Sequence, residues 1–311
     1  MKKKIKQPTP GSNPRRVPGL KQGKYNDGHP LHEVQYLECK LILKGDRFTS
    51  ESNFDDFAKI VKRAAASSDV DFSRKPFKDA RPQIRDVIFM DTKDFQLYNH
   101  AFILRRRVNY ENGFAVSDPE IVFKFRHPDM QKAAEMDVRP RIFGNHKVKF
   151  KAEALPLKDQ VGGYRLLFSH NVQFPLSAVH EANRLSMDTL VRVLPALKVL
   201  KLPQTETVAL VNQTAVEEVL KDIGMLDFGK GVTAKSNVSL WRTRGDQKQL
   251  VGEFAFQAKF QKREDLHDIA RRRCEQFFIN LQYAAQEWLA LGTTKTGAVY
   301  RLKGNPPTPH E

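Results

Sequence analysis

Five segments of this chain alternate charged and apolar residues, a pattern typical of β-strands with one polar and one apolar face. These segments are 36–43, 101–108, 120–126, 147–154 and 252–260. In the fourth, charged and apolar residues take strict turns along the sequence Lys147, Val148, Lys149, Phe150, Lys151, Ala152, Glu153. Each apolar face must be covered, and each charged face must either meet solvent or line a polar interior. That choice constrains the fold.

The charged faces of these strands carry an excess of bases. They hold nine bases and four acids, namely Lys40, Arg105, Arg107, Lys124, Arg126, Lys147, Lys149, Lys151 and Lys259 against Glu38, Glu120, Glu153 and Glu253. Bases held side by side repel one another unless a polyanion or counter-ions neutralise them. Carboxylate oxygens are the ligands that Mg²⁺ and Mn²⁺ prefer. We therefore predict a surface that binds a highly negative ligand, with a divalent cation near its acids.

The remaining elements are predicted from periodicity and from Gly and Pro positions. Further strands are expected at 84–91, 164–169, 206–212 and 236–244. Helices are expected at 53–65, at 177–197 with Ser177 as N-cap, at 214–223 and at 263–291. Strands recur in both halves of 31–300 without a linker between them. The sequence thus predicts a single α+β domain over 31–300.

The net charge of +16 is concentrated at the start of the chain. Residues 1–26 contain eight Lys and Arg and no acid, and 1–30 has no hydrophobic period. We predict a disordered basic arm over 1–30 and a disordered tail over 301–311. The arm is either a solvated tail or a contact for a polyanion such as nucleic acid.

The cellular compartment follows from cysteine usage and hydropathy. Cys39 and Cys274 lie far apart in different predicted elements, which favours a reducing compartment and hence the cytoplasm. No stretch of 18 apolar residues occurs, so no membrane span is expected. The chain also lacks the GxxxxGK, GxSxG and HExxH motifs, which leaves P-loop, serine-hydrolase and zincin chemistry without support.

Two architectures satisfy the alternating strands. An open antiparallel sheet would place its apolar face on helices and its charged face in water. A sheet that curls on itself would instead gather the charges around a polar interior. Composition and periodicity leave both architectures open.

Two passages of the sequence resemble a known family. Glu38-x-Lys40 resembles the ExExK opening of the CYTH superfamily, the triphosphate tunnel metalloenzymes. The stretch 89–107, FMDTKDFQLYNHAFILRRR, resembles a second passage of that family through the residues Asp91, Thr92, Asp94, Leu97, Leu104, Arg105 and Arg107. The order of the later charged strands is also similar, so the resemblance extends over about 33–290.

The resemblance implies a closed or nearly closed antiparallel β-barrel of about eight strands around a charged tunnel, flanked by helices. It implies that the tunnel binds a triphosphate-bearing compound or inorganic polyphosphate and hydrolyses or transfers a phosphoryl group. The bases that would clamp phosphates are Lys40, Arg105, Arg107, Lys124, Arg126, Lys149 and Lys151. The carboxylates that would hold Mg²⁺ or Mn²⁺ are Glu38, Glu153 and Glu253.

The chain departs from the family pattern at its carboxylates. Tyr36 stands where the first Glu of ExExK belongs, and Leu155 and Ala255 stand two residues beyond Glu153 and Glu253. The expected metal ligands are thereby reduced, whereas the bases are retained. A catalytically reduced protein that binds polyanions as a scaffold is therefore an alternative to a triphosphatase.

A basic RNA-binding protein is the third hypothesis. RNA-binding sheets normally display aromatic side chains on the exposed face. Here Phe123, Phe150 and Phe254 fall on the face opposite the charges, which counts against this hypothesis. Asp91, in the turn-forming sequence DTKD, is expected to cap local structure rather than to act in catalysis.

Overall fold

The computed structural model describes residues 33–180, 185–260 and 265–303. Its strands are β1 (Tyr36–Lys44), β2 (Asp71–Ser73), β3 (Gln83–Asp91), β4 (Phe102–Glu111), β5 (Phe114–His127), β6 (Lys147–Pro156), β7 (Tyr164–Pro175), β8 (Ala209–Leu210), β9 (Val216–Asp227), β10 (Thr233–Thr243) and β11 (Gln249–Lys259). Its α-helices are α1 (Ser52–Ala66), α2 (Gln96–Asn99), α3 (Met130–Glu135), α4 (Met187–Val193), α5 (Asp268–Ala284) and α6 (Lys295–Tyr300). Short 3₁₀ turns occupy Gly45–Arg47, Lys75–Phe77, Leu176–Ala178, Pro195–Leu200, Val211–Gln213 and Gln286–Trp288.

Nine of these strands form a closed barrel in the described part of the chain. They follow the order β9-β10-β11-β1-β6-β7-β5-β4-β3, and β3 then pairs with β9 to complete the ring. In the closing pair, Gln83 lies opposite Leu220 and Val87 lies opposite Val216. The short strands β2 and β8 add to β9 and β3 outside the ring. The predicted closed barrel is confirmed.

One pair in the ring departs from the predicted antiparallel arrangement. Strands β1 and β6 run parallel, with Glu38 opposite Glu153, whereas the other eight pairs of the ring are antiparallel. The barrel is therefore mixed. This parallel pair joins β1, the first strand of the chain, to β6.

Helices cover the outer, apolar face of the barrel. Helices α1 and α5 pack on β1, β10 and β11, and the core between them buries Phe57, Phe254 and Phe277 completely. A second core lies outside β4, β5 and β7 and includes α4 and the buried Phe102 and Phe123. Because side chains alternate along a strand, outward apolar residues place their charged neighbours inside the ring.

The structure corrects the predicted helix at 214–223. This segment belongs to β9, which pairs with both β10 and β3. Its acids and base, Glu217, Glu218 and Lys221, suit an exposed helix locally, but the barrel needs a strand here to close. Tertiary pairing overrides the local preference.

Three other predicted elements are shorter than expected. The segment 177–197 contains the 3₁₀ turn Leu176–Ala178, then α4, whose N-cap is Ser186 rather than Ser177. The Ser177 hydroxyl instead donates to Asp118. The last long helix is α5 alone, and the strand predicted at 206–212 is reduced to β8.

The ends of the chain fall largely beyond the described ranges. The predicted arm over 1–30 lies outside the described residues, as do residues 304–311 of the predicted tail. Cys39 and Cys274 are both buried free thiols in the same core. None of the helices in the described ranges has the length and apolar character needed to cross a membrane.

Asp91 has the structural role that the sequence predicts. Its side chain is 1% exposed and lies at the end of β3. The carboxylate accepts hydrogen bonds from the backbone N–H groups of Thr92, Leu97 and Tyr98, at 2.7, 2.9 and 2.9 Å, and from the hydroxyl of Tyr300, at 2.9 Å. It therefore joins β3, α2 and α6.

Replacing Asp91 by Ala is expected to lower the free energy of unfolding by about 3 kcal/mol, because three buried N–H groups lose their acceptor. Asp94→Ala is the matched control, since Asp94 is exposed and is expected to change the free energy by less than about 0.5 kcal/mol. Urea denaturation measures both. Equal effects at the two positions would contradict the assigned role.

Candidate functional site

The interior of the barrel contains a cavity of about 370 Å³, which we call the barrel cavity. All nine strands of the ring and residues 294–296 contribute to its lining. Among the described residues that line it, ten are bases and four are acids, namely Lys40, Arg85, Arg105, Arg107, Lys124, Arg126, Lys147, Lys149, Lys151 and Lys295 with Glu38, Glu153, Glu218 and Glu253. The lining thus carries an excess of six positive charges.

The structure brings the ten predicted phosphate and metal ligands into this one cavity, whereas Glu120 and Lys259 of the charged strand faces are not among its lining residues. The seven predicted phosphate-binding bases and the three predicted metal ligands all line it. Sequence reasoning missed three further charged residues, Arg85, Glu218 and Lys295. Glu218 was missed because its segment, 214–223, was predicted as a helix and not as a strand. Lys295 was missed because it follows the last predicted helix and no alternating pattern surrounds it.

One end of the barrel cavity is apolar, and its side chains come from the same inward faces of the strands that carry the charged residues. Ile42 follows Lys40 on β1, and Ile103 precedes Arg105 on β4, two residues away in each case. These side chains pack in a third core cluster with Tyr300 of α6. The inward face therefore changes from charged to apolar along the strands, and α6 lies at the apolar end.

Glu153 is the most heavily paired carboxylate of the barrel cavity. It is 1% exposed, lies 3.0 Å from the Lys40 ammonium and 3.6 Å from the Arg126 guanidinium, and also pairs with Lys124. The Ser169 hydroxyl donates to it as well. Burial alone would raise the pKa of Glu153, but these positive charges outweigh burial and hold the pKa well below 4.5. Glu153 is therefore ionised at neutral pH.

Glu38 belongs to the same network through Lys40. Its carboxylate lies 2.8 Å from the Lys40 ammonium and 3.2 Å from the Lys151 ammonium. Burial opposes ionisation, yet Lys151 and Lys40 lower the pKa of Glu38 below its usual value. For Lys40 the order is reversed: burial disfavours the charge, but Glu153 and Glu38 raise its pKa above 10.5. Strands β1 and β6 are thus joined by alternating charges.

A second network connects β3, β9, β11 and α6. Arg85 donates to Glu218, which is 1% exposed. The Lys295 ammonium lies 3.0 Å from Glu218 and 2.7 Å from Glu253. Burial raises the pKa of Glu218, but Lys295 and Arg85 outweigh it and keep the pKa well below 4.5.

Arg105 is only weakly compensated, by the charges of Glu218 and Glu120. Within the described ranges no acid forms an ion pair with it, and its Nε atom is buried without a hydrogen-bond partner. Burial and the neighbouring Arg85 lower the pKa of Arg105 to about 10, which still leaves it protonated at neutral pH. Arg107 is only loosely paired, 3.5 Å from the half-exposed Glu120. Arg105 and Arg107 are therefore weakly neutralised charges of the barrel cavity, unlike Arg85 and Arg126, which pair with Glu218 and Glu153.

Tyr36 takes part in a basic group on the neighbouring strands. The Lys149 ammonium lies 5.3 Å from the centroid of the Tyr36 ring, and the Lys259 ammonium lies 5.9 Å from it. Burial and the nearby Lys151 lower the pKa of Lys149. The residue at the position of the first family carboxylate is thus an aromatic ring that contacts cations.

The carboxylates of the barrel cavity fit a divalent metal poorly. A Mg²⁺ ion needs six oxygen ligands at about 2.0–2.1 Å. In the residues that the structure describes, no three His, Cys, Asp or Glu side chains come together as a metal site. Leu155 and Ala255 line the cavity without offering oxygen, and Glu38, Glu153 and Glu253 each pair with an amine. These carboxylates therefore offer no ready set of ligands for a divalent metal.

Comparison with known proteins finds no family model and no curated protein sequence that matches this chain. Among solved structures, the chain is similar to a protein from Hippeastrum described as a candidate adenylyl cyclase with a dominant triphosphatase activity, with 12% identity, a TM-score of 0.40 and coverage of 88% of this chain and 98% of that one. It is also similar to a candidate adenylate cyclase from Bacillus halodurans, with 13% identity, a TM-score of 0.35 and coverage of 79% and 91%.

Replacing Glu153 by Gln is expected to lower the free energy of unfolding by about 3–5 kcal/mol, because it leaves three buried bases without their shared anion. Glu120→Gln is the control, since Glu120 is 36% exposed and is expected to change the free energy by less than about 1 kcal/mol. Urea denaturation at pH 7 compares the two variants. A loss for Glu153→Gln no larger than that of the control would contradict the pairing described.

Acidification is expected to remove the advantage that wild type has over Glu153→Gln. The folded-state pKa of Glu153 lies below 4.5, so its stabilisation is fully present above the unfolded-state pKa and is lost as the pH falls through the folded-state value. The difference in Tm between the two proteins should shrink from pH 7 to about pH 3. Thermal denaturation followed by circular dichroism measures it. A difference independent of pH would contradict the lowered pKa.

Proposed function

We propose that the barrel cavity binds a linear polyphosphate anion, either inorganic triphosphate or polyphosphate or the triphosphate group of a larger compound. The observation that carries this proposal is the excess of bases over acids in an enclosed cavity, ten against four among the described lining residues. Buried positive charges without partners are unfavourable unless a ligand supplies the opposite charge. A chain of phosphates supplies several negative charges in a narrow shape.

The bases suit successive phosphates because they stand on different strands. Arg105 and Arg107 share β4, whereas Lys149 and Lys151 share β6, and β5 and β7 lie between these strands. Guanidinium groups bind phosphate oxygens in pairs, and ammonium groups bind as point charges. The volume of about 370 Å³ is within the usual range for small-molecule sites.

Binding is favoured over hydrolysis by the state of the acids. Phosphoryl transfer needs charge neutralisation and positioning, which the bases can supply, and also an activated nucleophile. The resemblance in the sequence assigns that last role to Mg²⁺ or Mn²⁺ on Glu38, Glu153 and Glu253. Because these carboxylates already pair with amines, the function that we propose is polyanion binding by a catalytically reduced site.

An RNA-binding sheet receives no support from the aromatic residues. Phe123, Phe150 and Phe254 are completely buried in apolar cores and offer no face for base stacking. The basic arm over 1–30, through which nucleic acid could bind, lies outside the described residues. Nucleic-acid binding is therefore an alternative to triphosphate binding, and the experiment distinguishes the two.

Arg105→Gln is expected to weaken the binding of inorganic triphosphate at least about tenfold, since it removes a buried charge with no other partner. Arg106→Gln is the matched control: it is the adjacent arginine on the same strand, but it does not line the barrel cavity. Isothermal titration calorimetry at fixed ionic strength measures both affinities. Equal losses in the two variants would contradict specific binding in the cavity.

The same samples test the competing functions. Phosphate release from triphosphate with Mg²⁺ or Mn²⁺, abolished by Glu153→Gln, would establish a triphosphatase and overturn the assignment as a binder. Absence of triphosphate binding together with salt-sensitive RNA binding would overturn the proposed function altogether.

A further inference from the structure

Lys295 is held like a bound cation between two carboxylates. Its ammonium lies 2.7 Å from Glu253, 3.0 Å from Glu218 and 3.3 Å from the hydroxyl oxygen of Ser239. An ammonium group has three N–H donors, and these three oxygens satisfy all of them. The ring of Trp241 covers a further side, with its centroid 4.8 Å from the nitrogen.

The backbone that carries Lys295 is fixed to the barrel. The Thr294 hydroxyl accepts a hydrogen bond from the Gly297 N–H at 3.0 Å and caps α6. At the other end of α6, the Tyr300 hydroxyl donates to Asp91, and the side-chain amide of Asn212 donates to the Val299 carbonyl at 2.8 Å. Lys295 is therefore positioned by a buried segment rather than extended from a mobile surface.

Lys295 contacts two buried carboxylates that stand on different strands. Glu218 is 1% exposed and Glu253 is 9% exposed, and they stand on β9 and β11, on either side of β10. Two buried carboxylates that share one cation repel each other once that cation is removed. A divalent ion that bound these oxygens would have to displace the ammonium.

We propose that Lys295 takes the place of a divalent cation at Glu218 and Glu253, so that the barrel cavity binds its anion without metal. This inference rests on the proposed function for the identity of the anion, whereas the competition between ammonium and metal stands on the contacts of Lys295 alone. The tethered ammonium loses no translational freedom on binding, so it is always present at the site. Arg85, which also pairs with Glu218, adds a second fixed charge.

Binding of Mn²⁺ alone tests the competition directly. Electron paramagnetic resonance measures free Mn²⁺ in mixtures with wild type, Lys295→Ala, and Lys295→Ala combined with Glu253→Gln. Wild type is expected to bind Mn²⁺ no more tightly than with a millimolar Kd. Lys295→Ala is expected to bind Mn²⁺ with a Kd at least about tenfold lower than that of wild type. The double variant is expected to bind Mn²⁺ as weakly as wild type. Lys295→Arg retains the charge and is expected to exclude Mn²⁺.

Lys221→Ala is the matched control, because it also removes a lysine that pairs with two carboxylates. Lys221 stands on β9, the strand that carries Glu218, but it pairs with Glu51, at 2.9 Å, and with Asp55 on α1. This variant is expected not to gain Mn²⁺ binding. Thermal denaturation verifies that each variant is folded, and Lys295→Met, which removes the charge but keeps most of the side-chain volume, replaces Lys295→Ala if the alanine variant is unfolded.

A separate titration measures the binding of triphosphate in the presence of excess EDTA, which removes free metal ions. Binding by wild type in EDTA supports metal independence, and binding that requires added metal overturns it. Tight Mn²⁺ binding by wild type, or none by folded Lys295→Ala, also overturns the inference while leaving the proposed function intact. If triphosphate does not bind under any condition but Lys295→Ala gains Mn²⁺, the proposed function fails and the role of Lys295 stands.

Discussion

The pairing of β9 with β3 is the constraint on which the rest of this structure depends. Without it the chain would form an open sheet whose charged face meets water, and the charges would need no partners. With it the same alternating residues enclose a cavity of low dielectric, in which every charge interacts strongly with its neighbours. The glutamates on β1, β6, β9 and β11 then have a structural role, because they separate bases that would otherwise repel. Closure thus converts a polar surface into an electrostatic site.

Buried ion pairs of this kind add little net stability. Removing two charges from water costs about as much as their attraction returns, so an apolar pair of the same volume is often as stable or more stable. The stability of the barrel comes instead from the apolar cores outside it, where Phe57 of α1 and Phe277 of α5 share one buried core with Phe254 of β11. The outer cores hold the ring closed, and the ring holds the charges together. The charges inside the ring are therefore not what holds the ring closed.

Alternation along a strand is a local property, so it predicts the charged strand faces, whereas the closed barrel and the ten candidate site residues were implied by the family resemblance. The charged faces of β1, β4, β5, β6 and β11 are visible in the order of residues alone. Glu218 could not be found in this way, since its segment has a helical pattern and becomes a strand only by pairing with β3 and β10. Arg85 shares its inward face with Val87 and Phe89, so no charged face marks it. Lys295 reaches the barrel cavity because α6 packs against the barrel, and no local sequence pattern predicts that packing.

The departures of the chain from the family pattern and the position of Lys295 are consistent with one electrostatic requirement. A cavity that binds a polyanion needs positive charge near its acids, from a metal ion or from a side chain. Tyr36, Leu155 and Ala255 contribute no carboxylate, so the oxygen ligands for a metal are few. Lys295 places an ammonium where the remaining oxygens of Glu218 and Glu253 converge. With fewer acids and a covalently attached cation, the barrel cavity keeps its positive excess at any concentration of metal, which is the property that a binder of phosphate chains needs and that a metal-dependent hydrolase does not.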